Sequence, residues 1–564
     1  LQRTLRTQSR GAAAVLSVKR ILSVLSQGAL KRFEKSLYKK LCILSVLCEK
    51  HIAYMTTQGK VYLVGAGPGD PGLITVKGLE CIQNAEVIIY DYLASPALLK
   101  YAPKNVELIY VGKKGGDHTL PQDGINALIA EKAGQGKIVT RLKGGDPFIF
   151  GRGGEEAEIL VNAGIPFEIV PGVTSAIAAP AYAGIPLTHR EFTSTVAFVT
   201  GHEDPTKDES SIDWASLAKG IGTIVFLMGV KNLPNIVRHL TENGMNPETP
   251  VALVRWGTTS EQVTLTGTLE NIAERVKAAG LKAPAIIVVG EVVKLRDTLK
   301  WFENRPLMGK RIVVTRAREQ ASDLLKQLSD LGADCLECPT IKVMPPEDWT
   351  RMDAAIDRLS DYDWIVFTSV NGVKFFFNRL FEKGKDVRAL HKMHTASIGP
   401  ATAKKLLEFG LNSDIVPETF QAESVAEAFK NESIKGKKIL LPRAEEARPV
   451  LPVELAKMGA TVDEVTAYCT KQDSENAEML VSGLAEKSIH IVTFTSSSTV
   501  KNFRKLLPAG DAEFKQLMQG VTVASIGPIT SDTAKELGFD VHITAESFTI
   551  PGLCKAIQQY FKRV

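Results

Sequence analysis

Long apolar runs are missing from this chain. No stretch of its 564 residues reaches the ~20 consecutive apolar residues that span a bilayer, which excludes a helical membrane protein. Cysteine is scarce: there are seven, odd in number and scattered, which argues against a disulfide framework and for a reducing compartment such as the cytoplasm. Cys335 and Cys338 form a lone CxxC late in a strand-like segment, with no second pair for zinc, so no metal is expected. Both common phosphate signatures are missing too. Gly65-x-Gly67-x-Gly69 brings its third glycine one residue early for a dinucleotide fingerprint. Pro68 removes an N–H that a phosphate cradle uses, and no Lys-Ser/Thr pair follows.

An excess of positive charge is largely missing as well, despite a net charge of +5. Residues 1–54 hold eleven Lys/Arg against two Glu, a net of +9, so the remainder is about −4. That gives no reason to expect a nucleic-acid partner. The first 54 residues read as a basic leader or an over-called start, because Met55-Thr-Thr-Gln-Gly-Lys-Val-Tyr-Leu-Val runs straight into a strand.

What is present is an ordinary globular composition, 44% hydrophobic and 23% charged, long enough for about four domains of ~150 residues. From residue 59 to 301, short Val/Ile-rich runs alternate with helical segments: Val61–Val64, Ala85–Tyr90, Lys137–Leu142, Phe167–Val170, Val196–Thr200, Thr223–Leu227, Val251–Val254 and Ala285–Val289. Such runs predict parallel or mixed sheets in an α/β fold. Two lobes are expected, about 59–188 and 189–301. Three glycine-rich loops follow strands: Gly65-Ala-Gly-Pro-Gly-Asp70, Gly144-Gly-Asp-Pro-Phe-Ile-Phe-Gly-Arg-Gly-Gly154 and Pro171-Gly-Val-Thr-Ser175. Glycine lets backbone approach a ligand closely, and Asp146 offers an acceptor for a ribose or an amine. Together they favour an uncharged nucleoside over a phosphate.

The strings GAGPGDPGLIT, YDYLASP, VGKKGGDHTLPQDGIN, RLKGGDPFIFGRGGEE, VPGVTSAIAAPAYAGIPLTHR, VTGH, FLMGV and PAIIVVGEVV occur in that order. Residues 55–301 on this evidence resemble the uroporphyrinogen-III C-methyltransferase family. The resemblance implies a two-lobed tetrapyrrole methylase fold, a homodimer, and S-adenosyl-L-methionine as methyl donor. It implies cofactor contacts at Pro68, Gly144, Gly145, Asp146, Ile149, Thr174, Ser175, Met228 and Gly257. It also implies a proton acceptor at Asp91 and a proton donor at Lys113. Tyr92 stands where the family often has arginine.

The last part of the chain is a duplication. Phe367-Thr-Ser-Val-Asn-Gly-Val373 is echoed by Phe494-Thr-Ser-Ser-Ser-Thr-Val500, and Ile312-Val-Val-Thr-Arg-Ala317 by Ile439-Leu-Leu-Pro-Arg-Ala444, both 127 residues on. Ser397-Ile-Gly-Pro-Ala-Thr402 likewise returns as Ser525-Ile-Gly-Pro-Ile-Thr530. The interval is too long for a solenoid and right for an α/β domain. After a 302–310 linker, residues 311–564 resemble uroporphyrinogen-III synthase on these motifs and Tyr468. The resemblance implies a two-lobed α/β domain with parallel sheets that takes hydroxymethylbilane and forms uroporphyrinogen III. Arg316, Thr368, Ser369, Asn371, Thr402, Ser496, Ser497 and Thr530 are the expected substrate contacts, and Tyr468 the residue that assists hydroxyl departure. Thr-Ser, Ser-Ser and Ile-Gly-Pro-x-Thr also suit helix starts, whose N–H groups attract a polycarboxylate substrate. Extended segments near 340–343 and 466–469 are expected to join the lobes. The remaining alternative is another tetrapyrrole methylase fused to a two-lobed tetrapyrrole-binding module.

Overall fold

The computed structural model describes residues 59–112, 120–202, 211–316, 318–419, 421–472, 477–508 and 510–563. The chain divides into two compact units, with the boundary between Arg305 and Pro306.

In the first unit, β1 (Lys60–Gly65), β2 (Val87–Tyr90), β3 (Glu107–Tyr110), β4 (Ile138–Lys143) and β5 (Phe167–Val170) form a wholly parallel sheet in the order β3-β2-β4-β1-β5. Val61, Leu63, Val64, Val87, Ile88, Ile89, Val139 and Leu142 are fully buried. Near-continuous burial is what a parallel sheet covered on both faces demands. One face packs on Ile125, Ile129 and Leu160, the other on Ile82, Cys81 and Leu98.

A second, mixed sheet follows: β6 (Val196–Thr200), β7 (Thr223–Leu227), β8 (Pro250–Arg255), β9 (Val263–Thr268) and β10 (Ala285–Val289), ordered β6-β7-β10-β8-β9. Only β6 and β7 pair in parallel. The helix Ser175–Tyr182, assigned to the first lobe by the sequence, packs on this second sheet. Its Ala176 and Ala179, with Ala183 and Ile185 beyond it, are buried against Val225, Leu227, Val254 and Val288. Small alanine side chains let the helix lie close to the strands, so the chain changes lobe in the loop before Thr174 rather than near residue 188.

The second unit interleaves its two repeats. β11 (Arg311–Val314) and β12 (Asp334–Glu337) come first, then β13 (Ile341–Met344), β14 (Trp364–Phe367), β15 (His394–Ser397), β16 (Lys438–Ala444) and β17 (Thr461–Gln472), and finally β18 (Ile491–Phe494), β19 (Thr522–Ser525) and β20 (Val541–Thr544). One sheet runs β12-β11-β18-β19-β20, the other β13-β17-β16-β14-β15. Each sheet therefore takes its opening strands from one repeat and its closing strands from the other. The first sheet is parallel throughout; in the second, only β13 runs against its neighbour. The chain leaves the first sheet after β12 and comes back to it at β18. Both crossings start or end in extended chain, and these segments pair with each other, Ile341 opposite Gln472 and Met344 opposite Cys469.

Candidate functional site

In the first unit three parallel strands end together, and their loops touch. Gly67 and Gly145 exchange backbone hydrogen bonds of 3.2 and 2.7 Å. A Cβ on Gly65 would come within 2.5 Å of the Gly172 backbone, and one on Gly172 within 2.4 Å of the Gly145 carbonyl oxygen. Much of the glycine richness thus serves loop-to-loop contact, where side chains do not fit. Gly144 follows the same rule against Leu93, at 2.4 Å. Asp146 ties the loops: Oδ1 accepts from the Phe148 N–H at 2.7 Å and Oδ2 from the Gly172 N–H at 2.9 Å. Thr174 caps the next helix, its hydroxyl accepting from Ala176 N–H at 3.3 Å, and Ser175 opens that helix.

The second lobe meets this edge. Asp70, two residues beyond Pro68, donates its N–H to Thr258 Oγ1 at 3.0 Å and accepts from the Tyr182 hydroxyl at 2.8 Å. Burial and the Asp70 bond push the Tyr182 phenol well above its ordinary value. Next to Gly257, Trp256 and Thr258 both hold positive φ, 48° and 74°; Met228 (59°), Phe150 (53°) and Arg152 (58°) do so as well. Non-glycine residues in this region of φ are uncommon, and they gather at functional sites. Met228, Phe148 and Phe150 are exposed and line a hollow of about 470 Å³ with Pro147, Arg152 and Glu155. Ile149, on the same loop, is exposed too. A Cβ on Gly257 would stand 2.4 Å from Ala179 Cβ, so this glycine is set by contact with the Ser175–Tyr182 helix.

Asp91 directly follows β2, about one-quarter exposed, and Arg141 Nη2 donates to its Oδ2 at 3.0 Å. Arg141 is almost wholly buried and also contacts Glu156 Oε1 at 3.3 Å; Lys143 reaches the same oxygen at 2.6 Å. Burial first, and then the positive charge of Arg141, hold the Lys143 ammonium below its ordinary pKa, against the pull of Glu156. Tyr92, in the position often held by arginine, sets its ring edge-on to Trp256, centroids 5.7 Å apart. Lys113 lies outside the described residues.

The Arg141–Glu156 pairing escaped the sequence reading, although a signal was there. Arg141 and Lys143 are two charges on one face of a strand whose other members are Ile, Val, Thr and Leu. Charges so placed are buried only with partners. Nothing in the sequence says which of the nearby acids that partner is.

In the second unit, the Thr-Ser, Ser-Ser and Ile-Gly-Pro motifs all start helices at the C-terminal ends of parallel strands. Ser369 caps Val370–Glu382, its Oγ accepting from Gly372 N–H at 3.0 Å; Ser496 caps Ser497–Leu506 through Thr499 N–H at 3.3 Å. Gly399 and Gly527 precede Pro400–Leu407 and Pro528–Glu536. Phe367 pairs with Ser397 and Phe494 with Ser525, so each sheet sets two helix starts side by side. Thr402, Thr530 and Asn371 are buried, whereas Thr368, Ser369, Ser496 and Ser497 are half-buried. Ser497 Oγ accepts from Thr533 at 2.8 Å. Arg316, half-buried after β11, has its pKa lowered by burial, with Asp323 opposing. Its counterpart Arg443 is buried and donates to Glu464 at 2.9 Å.

Tyr468 comes to this edge by a bulge. Arg443 pairs with Thr466 but Ala444 pairs with Tyr468, leaving Ala467 as the extra residue. The Tyr468 ring stacks on Phe375 at 5.9 Å, and its hydroxyl lies 3.0 Å from Ser369 Oγ. Two residues singled out separately in the sequence, 99 positions apart, are therefore in direct contact. Among the described residues no group of three or more His, Cys, Asp or Glu is placed to hold a metal ion. No helix among them is long and apolar enough to cross a membrane.

Comparison with known proteins places both regions. Residues 60–273 match the family model of tetrapyrrole (corrin/porphyrin) methylases, and residues 322–555 that of uroporphyrinogen-III synthase HemD. The S-adenosyl-L-methionine-dependent uroporphyrinogen III methyltransferase of Methanosarcina barkeri is 58% identical over 241 residues, 43% of this chain and 94% of that protein. A solved uroporphyrin-III C-methyl transferase from Thermus thermophilus, complexed with S-adenyl homocysteine, is 39% identical with a TM-score of 0.37, covering 42% of this chain and 100% of that one. The porphyrin biosynthesis protein HemD of Ruminiclostridium josui is 39% identical over 496 residues, 88% of this chain and 97% of that protein. With such likeness along nearly the whole relative, and a methylase region followed by a synthase region, the chain belongs to the family of the porphyrin biosynthesis protein HemD.

Proposed function

We propose that the chain is a bifunctional enzyme of tetrapyrrole biosynthesis. Its second unit cyclises hydroxymethylbilane to uroporphyrinogen III, inverting the last pyrrole with loss of water. Its first unit methylates that product at C2 and C7 to give precorrin-2. The observation that carries the reading is the joining of the two regions in one chain, each with its motifs in order, with 39% identity along 97% of the porphyrin biosynthesis protein HemD of Ruminiclostridium josui.

Of the residues proposed to hold the cofactor, Met228 lines the hollow in the first unit, opposite the loop that follows Asp146. The wall of that hollow is largely backbone and apolar side chains, and its two charged members, Arg152 and Glu155, are paired with each other at 2.9 and 2.6 Å. Pro68, Gly144, Gly145, Asp146, Ile149, Thr174, Ser175, Met228 and Gly257 are the residues proposed to hold S-adenosyl-L-methionine, which when bound supplies the electrophilic methyl group. Asp91 is proposed to take the proton that the macrocycle releases after methylation. The Arg141 guanidinium, donating to Oδ2 at 3.0 Å, holds the Asp91 carboxylate in place. Lys113 is proposed as proton donor.

In the second unit the task is mainly orientation. Departure of the hydroxyl leaves an electrophilic carbon, and ring closure then requires attack from the substituted carbon of the terminal pyrrole. Arg316 and the paired helix starts at Ser369, Gly399, Ser496 and Gly527 are proposed to hold the substrate carboxylates. Tyr468 assists departure of the hydroxyl. The chain is further proposed to work as a homodimer in the cytoplasm. One coupled assay tests the reading: hydroxymethylbilane with and without S-adenosyl-L-methionine, products identified by mass and isomer. Uroporphyrinogen I alone, as forms without catalysis, would refute the synthase; unmethylated uroporphyrinogen III in the presence of cofactor would refute the methyltransferase.

A further inference from the structure

The duplication contains its own control. Ser369 and Ser496 occupy the same place in the two repeats, and each caps its helix through the N–H three residues on. Beyond that they diverge. At Ser496 the third residue is Thr499, whose hydroxyl accepts from the Ser496 N–H at 3.3 Å and completes a reciprocal cap. Ser498 Oγ is 2.9 Å from Ser496 Oγ as well. In the first repeat the residue matching Thr499 is Gly372, and it brings no hydroxyl. A Cβ there would stand 3.0 Å from the Pro442 carbonyl oxygen and 3.3 Å from Ser369 Oγ. Ser369 Oγ has Tyr468 as its neighbour instead, at 3.0 Å. The residue matching Tyr468 in the other repeat is Ile341, which has no hydroxyl to offer.

A serine hydroxyl has one proton and two lone pairs. Gly372 N–H takes one lone pair of Ser369, and the proton remains to be given. A tyrosine that is to protonate a leaving hydroxyl has to receive at its own oxygen and keep its O–H directed at the substrate. We propose that Ser369 is the positioning residue for Tyr468: held by Gly372 N–H, it donates to the phenol oxygen and turns the phenol proton outward. Stacking on Phe375 fixes the ring plane, and the bulge at Ala467 sets the reach. The inference rests on the proposed role of Tyr468. In that step the C–O bond of the hydroxymethyl group breaks and its electron pair leaves with oxygen. The oxygen takes the phenol proton and departs as water, while the pyrrole ring supplies electrons to the carbon. The phenoxide regains the proton that the ring system loses on closure, so water is the net loss.

The test measures hydroxymethylbilane cyclisation by the full chain, kcat and KM separately, in Ser369→Ala, Ser369→Thr, Ser369→Asp, Tyr468→Phe and the Ser369→Ala/Tyr468→Phe double variant. Loss of one neutral hydrogen bond predicts a kcat about 3- to 10-fold lower in Ser369→Ala, a larger change than that in KM, to which the helix start also contributes. Ser369→Thr restores the rate. Ser369→Asp still caps the helix but cannot donate, so its kcat falls while its circular dichroism and thermal midpoint stay those of the parent. The double variant is no slower than Tyr468→Phe alone. A raised KM with normal kcat in Ser369→Ala, or effects that multiply in the double variant, would overturn the inference and leave Tyr468 in place. A full rate in Tyr468→Phe would overturn both.

Discussion

Asp146→Ala tests the methylase site most directly, because one carboxylate holds two loops. Its oxygens accept from Phe148 N–H at 2.7 Å and Gly172 N–H at 2.9 Å. A hydrogen bond to a charged group contributes about 1.5–3 kcal/mol when shielded. The Phe148 bond is exposed, so water replaces much of it; the Gly172 bond is part-buried and its loss is felt more fully. A net of about 2 kcal/mol in loop order follows, which corresponds to roughly 30-fold in affinity. Calorimetric titration with S-adenosylhomocysteine reads that number directly. Asp146→Asn keeps one good acceptor and is expected to fall in between. Hydroxymethylbilane cyclisation should be unchanged, because the substitution lies in the other compact unit. Affinity within twofold of the parent would show that the loops hold without the carboxylate, and would remove Asp146 from the site.

Asp91→Asn should slow methylation at least about tenfold while leaving cofactor affinity intact by calorimetry, since general base catalysis contributes on the order of 10² or more. Tyr468→Phe should slow cyclisation about 10- to 100-fold and still give mainly the inverted isomer, read by chromatography of the oxidised porphyrins. Glu156→Gln takes the shared carboxylate from Arg141 and Lys143, both buried; a cost of about 3 kcal/mol is expected in urea unfolding. Arg379 donates to both oxygens of Asp353, at 2.7 and 2.6 Å, and these bonds hold its carboxyl below the usual carboxylate range. A depressed carboxylate stabilises above its unfolded-state pKa of about 4, and that stability is lost as pH falls through the folded-state value. Asp353→Asn should therefore cost about 1 kcal/mol at pH 7, and the difference in thermal midpoint should close on the acid side of pH ~4.

The central strands were legible because burial on both faces leaves a continuous apolar signature. Val87-Ile-Ile, Val225-Phe-Leu227 and Ile286-Ile-Val-Val289 carry it. Two edge strands were not. In β3, residues alternate between half-buried and exposed, and β9 reads Val-Thr-Leu-Thr-Gly-Thr, polar enough to pass for a loop. An edge strand has one neighbour and needs less apolar surface. The sheet on which the helix Ser175–Tyr182 packs is not legible for a related reason. The alanines of that helix fit against either sheet as far as pattern goes, and only the contacts with Val225 and Val254 decide.

By itself the sequence determined the two-part organisation, the duplication at 127 residues, the helix starts at Ser369 and Ser496, and the glycine loops. Each is a local matter of chain stiffness, capping or spacing, written in neighbouring residues. Tertiary structure alone decided that the repeats exchange strands, that Gly65, Gly145 and Gly172 touch one another, that Glu156 answers Arg141 and Lys143, and that Tyr468 meets Ser369. Those pairings join residues from 13 to 179 positions apart. A single sequence shows that a buried charge or a bulged tyrosine needs a partner. Which partner it finds depends on how the strands line up in the sheet, because strand order and register set which side chains come within hydrogen-bond reach.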